Sequence, residues 1–216
     1  MDIKYPQELV NNGLKLDLLC YKVPQTEFEV KDKIFVDKHF SAIVIQNNKV
    51  IATLKSYYSK GFKIKSIKGV NAGCLAKKTS LIVIFIRNNI DKMKVSQTPH
   101  AVSVGGVKCW LGYEFVVTMK LTKPENMWNF ISSAKNVDPN TISTSNFVYL
   151  YKTTLEEMLT THFGAFVGCA YGSSYYEENK YKAAKAVGDK MWKTYKLFGY
   201  DIQAGWTYNF TKTGRF

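Results

Sequence analysis

The sequence predicts an α+β protein in which strands fill the first half of the chain and helices follow one long strand. Residues Val107–Leu121 alternate between apolar and polar side chains, which is typical of a strand with one buried face. Between residues 176 and 198, apolar side chains recur at three- and four-residue steps, which is typical of an amphipathic helix. The 216 residues are 46% apolar, enough for one well-buried core. We expect one folded unit over residues 1–216, with a division into a strand-rich region of residues 1–90 and an α+β region of residues 91–216 as an alternative.

Short strands separated by Gly, Asn and Lys turns are predicted in the first half. Asn47 and Asn48 tolerate positive φ, so the flanking segments Ser41–Gln46 and Lys49–Leu54 are predicted to form a hairpin. Leu81–Ile86 is continuously apolar, which is typical of a strand covered on both faces. Further short strands are predicted at Phe28–Lys31 and Ile34–Val36.

The second half begins with the long strand, because every odd-numbered position from Val107 to Leu121 is apolar. Lys123-Pro124-Glu125 is a favourable helix start, with proline at the first helical position and an acid in the first turn. Three helices are predicted: one from this start, one between Phe147 and His162, and one from Tyr176 to Phe198 that stops at Gly199. An alternating strand from Ile202 to Phe210 closes the chain.

The charge balance is strongly basic. Thirty Lys and Arg against seventeen Asp and Glu give a formal charge of +13, and the only arginines are Arg87 and Arg215. Lysine is a hydrated point charge that suits diffuse attraction to acidic surfaces better than bidentate recognition. The alternative is a compositional bias, because an AT-rich genome enriches Lys, Asn, Ile and Tyr together.

The cysteines and the apolar runs predict a cytoplasmic protein. Cys20, Cys74, Cys109 and Cys169 form no CxxC pair and are expected to be reduced, mostly buried thiols. The N-terminal residues do not resemble a signal peptide. The longest aliphatic and aromatic run, Leu81–Ile86, is far shorter than the roughly 18 residues of a spanning helix. We therefore expect no transmembrane segment, and a peripheral position at a membrane is the alternative.

No arrangement of residues predicts an enzyme. His39, His100 and His162 lie far apart, and none has a second His or a Cys at metal-ligand spacing. The chain has no GxSxG elbow, no GxxxxGK[ST] loop and no GxGxxG. The adjacent acids Glu156-Glu157 and Glu177-Glu178 would point in different directions on a helix. We therefore predict no catalytic residue, no metal site and no cofactor, and an active site assembled from distant residues is the alternative.

Two groups of lysines are candidates for contacts with an acidic partner, either an acidic protein, a nucleic acid or an anionic membrane surface. One group follows one face of the third predicted helix and the other surrounds Tyr57-Tyr58. A solvated lysine face without a partner is the alternative for each group. The candidates are Lys180, Lys182, Lys185, Lys193 and Lys196 on the helix, and Lys55, Lys60, Lys63, Lys65 and Lys68 in the basic stretch.

Aromatic residues are candidates for self-association. The aromatic fraction is 14%, more than one core of this size requires, and Tyr and Trp are enriched at interface centres. Ordinary packing is the alternative for most of them individually. The candidates are Trp110, Tyr57, Tyr58, Tyr175, Tyr176 and Trp206.

The chain resembles the SPFH (band-7) domain of stomatin, prohibitin and flotillin, and more closely the bacterial soluble SPFH proteins often labelled virion core proteins. The resemblance rests on the lead-in Leu18–Pro24, the turn Gly61-Phe62, the long alternating strand, the entry Thr122-Lys123-Pro124 and the closing Tyr200-Asp201-Ile202. The usual Pro-Gly of the first turn is Lys60-Gly61 here. The resemblance implies assembly into rings, cages or arrays without catalytic residues.

Together these observations predict a non-enzymatic, self-assembling scaffold, a homo-oligomeric ring, cage or filament that organises a client or an acidic surface. The alternative is a non-specific binding protein for nucleic acid or an anionic membrane surface.

Overall fold

A computed structural model describes residues 2–4, 18–24, 28–29, 31–55, 60–70, 81–104, 107–133, 141–144, 147, 185, 188–189 and 192–213. Within 92–117 and 203–213 it describes the backbone alone. The fold is α+β with mostly antiparallel strands and few helices in these ranges, which confirms the predicted class at that level.

Strands account for most of the described residues. In chain order they are β1 (Asp2–Lys4), β2 (Leu18–Lys22), β3 (Lys33–Phe35), β4 (Phe40–Gln46), β5 (Lys49–Lys55), β6 (Phe62–Lys63), β7 (Leu81–Arg87), β8 (Asn89–Val104), β9 (Val107–Leu121), β10 (Thr141–Ser143) and β11 (Tyr200–Thr213).

The chain divides into two compact units. Unit 1 contains residues 1–89, 121–147 and 198–200, and unit 2 contains residues 90–120, 148–197 and 201–216. Unit 1 holds a five-stranded sheet of order β10-β2-β7-β4-β5 and a small sheet of order β1-β3-β6. Strands β8, β9 and β11, which lie almost entirely in unit 2, form a sheet of order β11-β9-β8.

The five-stranded sheet contains the predicted hairpin. β4 and β5 pair antiparallel across Asn47 and Asn48, whose φ angles are +51° and +60°. Positive φ at both loop residues is the requirement of a type I′ turn, whose twist matches that of the flanking strands. The hairpin prediction is therefore confirmed, and β5 is the terminal strand of this sheet.

β7 is the buried strand that the sequence predicts. It lies between β2 and β4, and the four successive residues from Val83 to Ile86 are each at most 1% exposed. Since successive side chains point to opposite faces of a sheet, both faces of β7 are covered. Each such side chain contributes about 1.5–3 kcal/mol through its burial.

The small sheet has one buried face. β1 pairs parallel with β3, and β3 pairs antiparallel with β6. Ile3 and Ile34 lie side by side and are 2% and 0% exposed, within the main hydrophobic cluster of unit 1. Their neighbours Asp2, Lys4 and Lys33 alternate to the opposite face.

The described helices are short. Proline at the first position begins a 3₁₀ turn, Pro124–Asn126, which continues as α1 (Met127–Ser133). A second 3₁₀ turn is Ile64–Ser66, and residues 192–197 are helical, as are 185 and 188–189. Gly199 has a φ of +87°, as expected of a helix stop, and a Cβ there would lie 2.0 Å from the Lys123 carbonyl oxygen.

The elements differ from the prediction: β1, β2, β6, β8 and β10 were not predicted, and two predicted elements are not found as expected. Phe28–Lys31 is not a strand: Phe28 and Glu29 have no regular structure and Lys31 begins a turn, because the Asp32 carboxylate accepts a hydrogen bond from the Glu29 N–H. Strand β10 comes before the second predicted helix, of which only Phe147 is helical within the described residues. The three predicted helices are therefore not confirmed.

Candidate anion-binding groove

A groove of about 1170 Å³ lies in unit 1, alongside β5 and over the exposed face of the small sheet. Its lining comes from β3, from β5 and from the segment 60–69 that includes β6. Among the described residues that line it, four are lysines and none is acidic. The lining residues are Lys33, Phe35, Ile51, Ala52, Thr53, Leu54, Lys60, Gly61, Phe62, Lys63, Ser66, Ile67, Lys68 and Gly69.

Two of these lysines lie directly opposite each other. Lys33 on β3 is the cross-strand partner of Lys63 on β6. Directly opposed residues have Cβ atoms about 4.5–5.5 Å apart and share a face of the sheet, and like charges in this position are destabilising. No described carboxylate lies within ion-pair distance of either lysine. The pair therefore concentrates positive charge at the groove at a cost in folding stability.

Asp2 is the acidic residue closest to Lys33 in the strand register, because it is the partner of Lys33 in β1. Its carboxylate lies 4.0 Å from the ammonium of Lys4. Asp2 does not line the groove. The Lys4 ammonium also lies 5.1 Å from the centroid of the Phe35 ring, within cation–π range. Asp2 therefore lies beside Lys33 on the side away from β6 and Lys63.

Two glycines shape the groove. Gly61 has a φ of +67°, and a Cβ there would lie 2.9 Å from the ring of Phe35, so the turn rests directly on this ring. Gly69 has a φ of +98°, and a Cβ there would lie 3.1 Å from the Ile51 carbonyl oxygen. Both conformations favour glycine, and a Cβ would clash at Gly61 and make a tight contact at Gly69. The Lys60-Gly61 turn is therefore required for the segment 60–69 to lie against β3 and β5.

Asp32 holds the start of β3 in place. Its backbone carbonyl accepts a hydrogen bond from the Ile64 N–H at 3.0 Å, which ties β3 to the 3₁₀ turn, and its carboxylate accepts the Glu29 N–H at 2.8 Å. Burial acts to raise the pKa of this carboxyl, but hydrogen bonds and nearby positive charges, that of Lys31 included, outweigh it, and the pKa is lowered. Asp32 is therefore a charged anchor at the start of β3.

The predicted lysines of the basic stretch separate into two sets. Lys60, Lys63 and Lys68 line the groove, whereas the exposed Lys65 is not among its lining residues. Lys55 donates a hydrogen bond to the Thr122 carbonyl oxygen at 3.0 Å. Sequence reasoning missed Lys33, although its alternation with Phe35 in a strand would place both on one face.

The lysines of the third predicted helix lie in unit 2. Lys185, Lys193 and Lys196 are exposed helical residues, and Lys180 and Lys182 fall outside the described residues. The Lys196 ammonium lies 4.2 Å from the centroid of the Trp192 ring, and the Trp192 indole N–H donates to Asp201 Oδ1 at 3.1 Å. The ring is thus already contacted by a cation and a carboxylate of its own chain.

The side chains of the aromatic candidates for self-association lie outside the described part of the structure. Trp110 lies on β9, the central strand of its sheet, and Trp206 lies on β11, a terminal strand, with only the backbone described. The remaining candidates, Tyr57, Tyr58, Tyr175 and Tyr176, fall outside the described residues.

Two groups with reactive potential, the Cys20 thiol and the Tyr200 hydroxyl, are buried. Cys20 is a free, buried thiol, as predicted, and burial raises its pKa, which disfavours the reactive thiolate. The buried Tyr200 hydroxyl donates to the Arg87 carbonyl oxygen, and burial also raises its pKa. Among the described residues no group of three or more His, Cys, Asp or Glu could hold a metal ion.

No helix in the described ranges has the length and the apolar character needed to cross a membrane. No protein-family model matches the chain, and no curated protein matches it.

Proposed function

We propose that this chain is a non-enzymatic binding protein that takes a polyanionic partner into the groove lined by Lys33, Lys60, Lys63 and Lys68. The opposed pair Lys33 and Lys63 is the observation that supports the proposal. An anion placed between two ammonium groups removes their repulsion and gains attraction from both, so the pair that weakens the folded protein strengthens the complex.

The composition of the groove supports the same function. The lysines lie around an apolar floor that includes Phe35, Phe62 and Ile67, so a bound chain would bury apolar surface as well as neutralise charge. Lysine ammonium groups near an acidic surface contribute on the order of 1 kcal/mol each. Four of them would give a weak to moderate affinity that falls with salt.

The test uses charge reversal at one groove position and a matched control outside the groove. Binding of fluorescent polyglutamate is measured by anisotropy for the wild-type protein, for Lys63→Glu and for Lys65→Glu, from about 50 to 200 mM salt. The two variants have the same net charge, and both replaced lysines are exposed residues of one short segment.

We expect Lys63→Glu to weaken binding roughly tenfold at the lowest salt and Lys65→Glu to change it less than about twofold. An equal loss in both variants would indicate diffuse attraction by the net charge. A flat salt response in the wild-type protein would contradict electrostatic binding altogether.

We propose self-association as a second function. Its support is the sheet β11-β9-β8, whose terminal strands are 16 residues (β8) and 14 residues (β11) long. Long terminal strands are templates for pairing with another chain, and the SPFH-like fold with three helices that the sequence suggests would imply assembly. Light scattering of the nuclease-treated protein at low and high salt tests this, and a monomer near 24.6 kDa would contradict it.

A further inference from the structure

The groove follows the edge of a strand. Four successive residues of β5, from Ile51 to Leu54, line it. Successive side chains of a strand point to opposite faces, so a groove lined by four in a row must meet the strand along its backbone edge. β5 is the terminal strand of the five-stranded sheet, and within the described residues no strand pairs with its outer edge.

Among the described residues, this edge is unpaired over a defined length. The β4–β5 register shifts between Val44 and Ile45, which leaves Ile51 as the extra residue of a bulge, and Gly69 lies against the Ile51 carbonyl. Bulges commonly end or redirect strand pairing. The backbone that remains beside the groove therefore runs from Ala52 to Leu54.

From these observations, and resting on the function proposed above, we infer that the polyanion is an extended acidic polypeptide segment that adds a strand to β5. A strand edge offers both N–H donors and C=O acceptors. An added polypeptide strand satisfies both kinds of group, which is the principle of recognition by strand addition. A phosphate backbone has acceptors alone and would leave the strand carbonyls unpaired.

The dimensions suit a short strand. With a rise of about 3.4 Å, a strand spacing of about 4.8 Å and a sheet spacing of about 10 Å, one extended residue occupies roughly 160 Å³. Three residues paired with Ala52–Leu54 would occupy about 480 Å³ by this measure, so the groove of about 1170 Å³ has room for them and for flanking residues. Alternate side chains of an added strand share one face, so acids at every second position would face the small sheet that holds Lys33 and Lys63.

The features that favour a nucleic acid are weak in this groove. Arginine, which recognises bases and phosphates through two parallel hydrogen bonds, is absent from the part of the lining that the structure describes. Among the described lining residues, two carry aromatic rings: Phe35 is already contacted by the Lys4 ammonium and the Gly61 backbone, and Phe62 is partly buried against the hydrophobic cluster. The strand edge and the lysines together therefore favour a polypeptide.

The experiment uses a seven-residue acetylated and amidated peptide of alternating Glu and Thr, with two N-methylated forms. One form carries methyl groups on the amides of the Glu residues and the other on those of the Thr residues. Only every second amide of an added strand faces β5. Methyl groups on the amides that face β5 block pairing, whereas methyl groups on the other amides point away from β5. All three peptides have the same charge, and binding is measured by competition with labelled polyglutamate.

We expect one methylated peptide to bind at least about tenfold more weakly than the parent, while the other stays within about threefold. We also expect one or two amides between Ala52 and Leu54 to gain hydrogen-exchange protection when the parent peptide binds. Equal behaviour of the two methylated peptides, or unchanged protection of these amides, would overturn strand addition.

Two further outcomes separate this inference from the proposed function. Random-sequence single-stranded DNA that binds more tightly than the peptide, and is weakened by Lys63→Glu but not by Lys65→Glu, would overturn the polypeptide assignment and leave the anion-binding groove standing. If Lys63→Glu weakens neither polyglutamate nor DNA, the proposed function itself fails, and this inference fails with it.

Discussion

The two sheets of unit 1 differ in how many of their faces are buried and in which side chains they expose. In the five-stranded sheet, β7 and most of β4 are buried on both faces, and the side chains contribute to stability alone. In the small sheet, strands of two or three residues bury Ile3 and Ile34 on one face and place lysines on the other. The large sheet therefore buries apolar side chains on both faces, whereas the small sheet buries one face and presents charge on the other.

The largest expected loss of stability comes from a substitution in the core of the five-stranded sheet. Phe85→Ala on β7 removes a fully buried ring, and we expect a loss of about 3–5 kcal/mol in the free energy of unfolding, because the cavity cannot collapse between two covered faces. Urea denaturation followed by circular dichroism measures it. Leu197→Ala, at a side chain that is 67% exposed, is the control and should change stability by less than about 0.5 kcal/mol. Similar losses in both variants would contradict the role of β7.

A smaller effect is expected where the small sheet meets the groove. Gly61→Ala places a Cβ 2.9 Å from the Phe35 ring at a φ of +67°, and we expect a loss of about 1–3 kcal/mol. The same change in a Phe35→Ala background should cost less, because the steric contribution disappears and the backbone contribution remains. A double-mutant cycle in urea measures the difference, and strict additivity would show that Gly61 and Phe35 are not in contact.

The pH dependence of unfolding tests whether the Asp32 carboxylate stabilises the small sheet. Its carboxyl pKa lies below the ordinary value of 3.8, so its contribution is complete above that value and is lost as the pH falls through the folded-state pKa. At pH 7 we expect Asp32→Asn to be less stable than the wild-type protein by about 1–2 kcal/mol, since a charge-assisted hydrogen bond becomes a neutral one.

The measurement for Asp32 is urea denaturation from neutral pH downward. The gap between Asp32→Asn and the wild-type protein should narrow as the pH falls below about 3.8, because the wild-type carboxyl becomes neutral as well. Asp91→Asn, at an exposed residue, is the control at pH 7 and should cost less than about 0.5 kcal/mol. A gap that widens on acidification would contradict the lowered pKa.

The smallest expected effect is an increase in stability. Lys63→Glu replaces a like-charge pair with an opposite-charge pair across β3 and β6, and we expect a gain of about 0.2–1 kcal/mol in stability. Lys65→Glu, which makes the same change in net charge, should gain less. A variant that is more stable yet binds polyglutamate more weakly would show that the lysine face serves binding. Equal gains in the two variants would instead reflect the net charge of +13.

Several elements were predictable because their cause is local. Neighbouring residues alone predict the hairpin around Asn47-Asn48, the strand β7 from its continuous apolar run, and the strand β9 from its alternation. All three are present in the structure. β8 was not predicted, because its sequence mixes polar and apolar residues irregularly and includes Pro99. Proline is tolerated in terminal strands, and β8 is a terminal strand. Its pairing with β9 therefore depends on the partner strand.

The basic character of the segment 60–68 was evident in the sequence, but the groove was not. Lys60, Lys63 and Lys68 were candidates as members of a charged stretch, in which Lys65 had equal standing. The structure separates them, since three line the groove and Lys65 does not. It also adds Lys33, about thirty residues earlier in the chain, through its register with Lys63.

The α+β class, the β4–β5 hairpin, the doubly covered strand and the excess of lysine follow from the sequence alone, because turn chemistry, periodicity and charge are properties of nearby residues. Which lysines face each other, and which strand edge borders the groove, depend on the tertiary structure. Those facts depend on the register between strands distant in sequence, and register is set by the packing of the buried face as a whole.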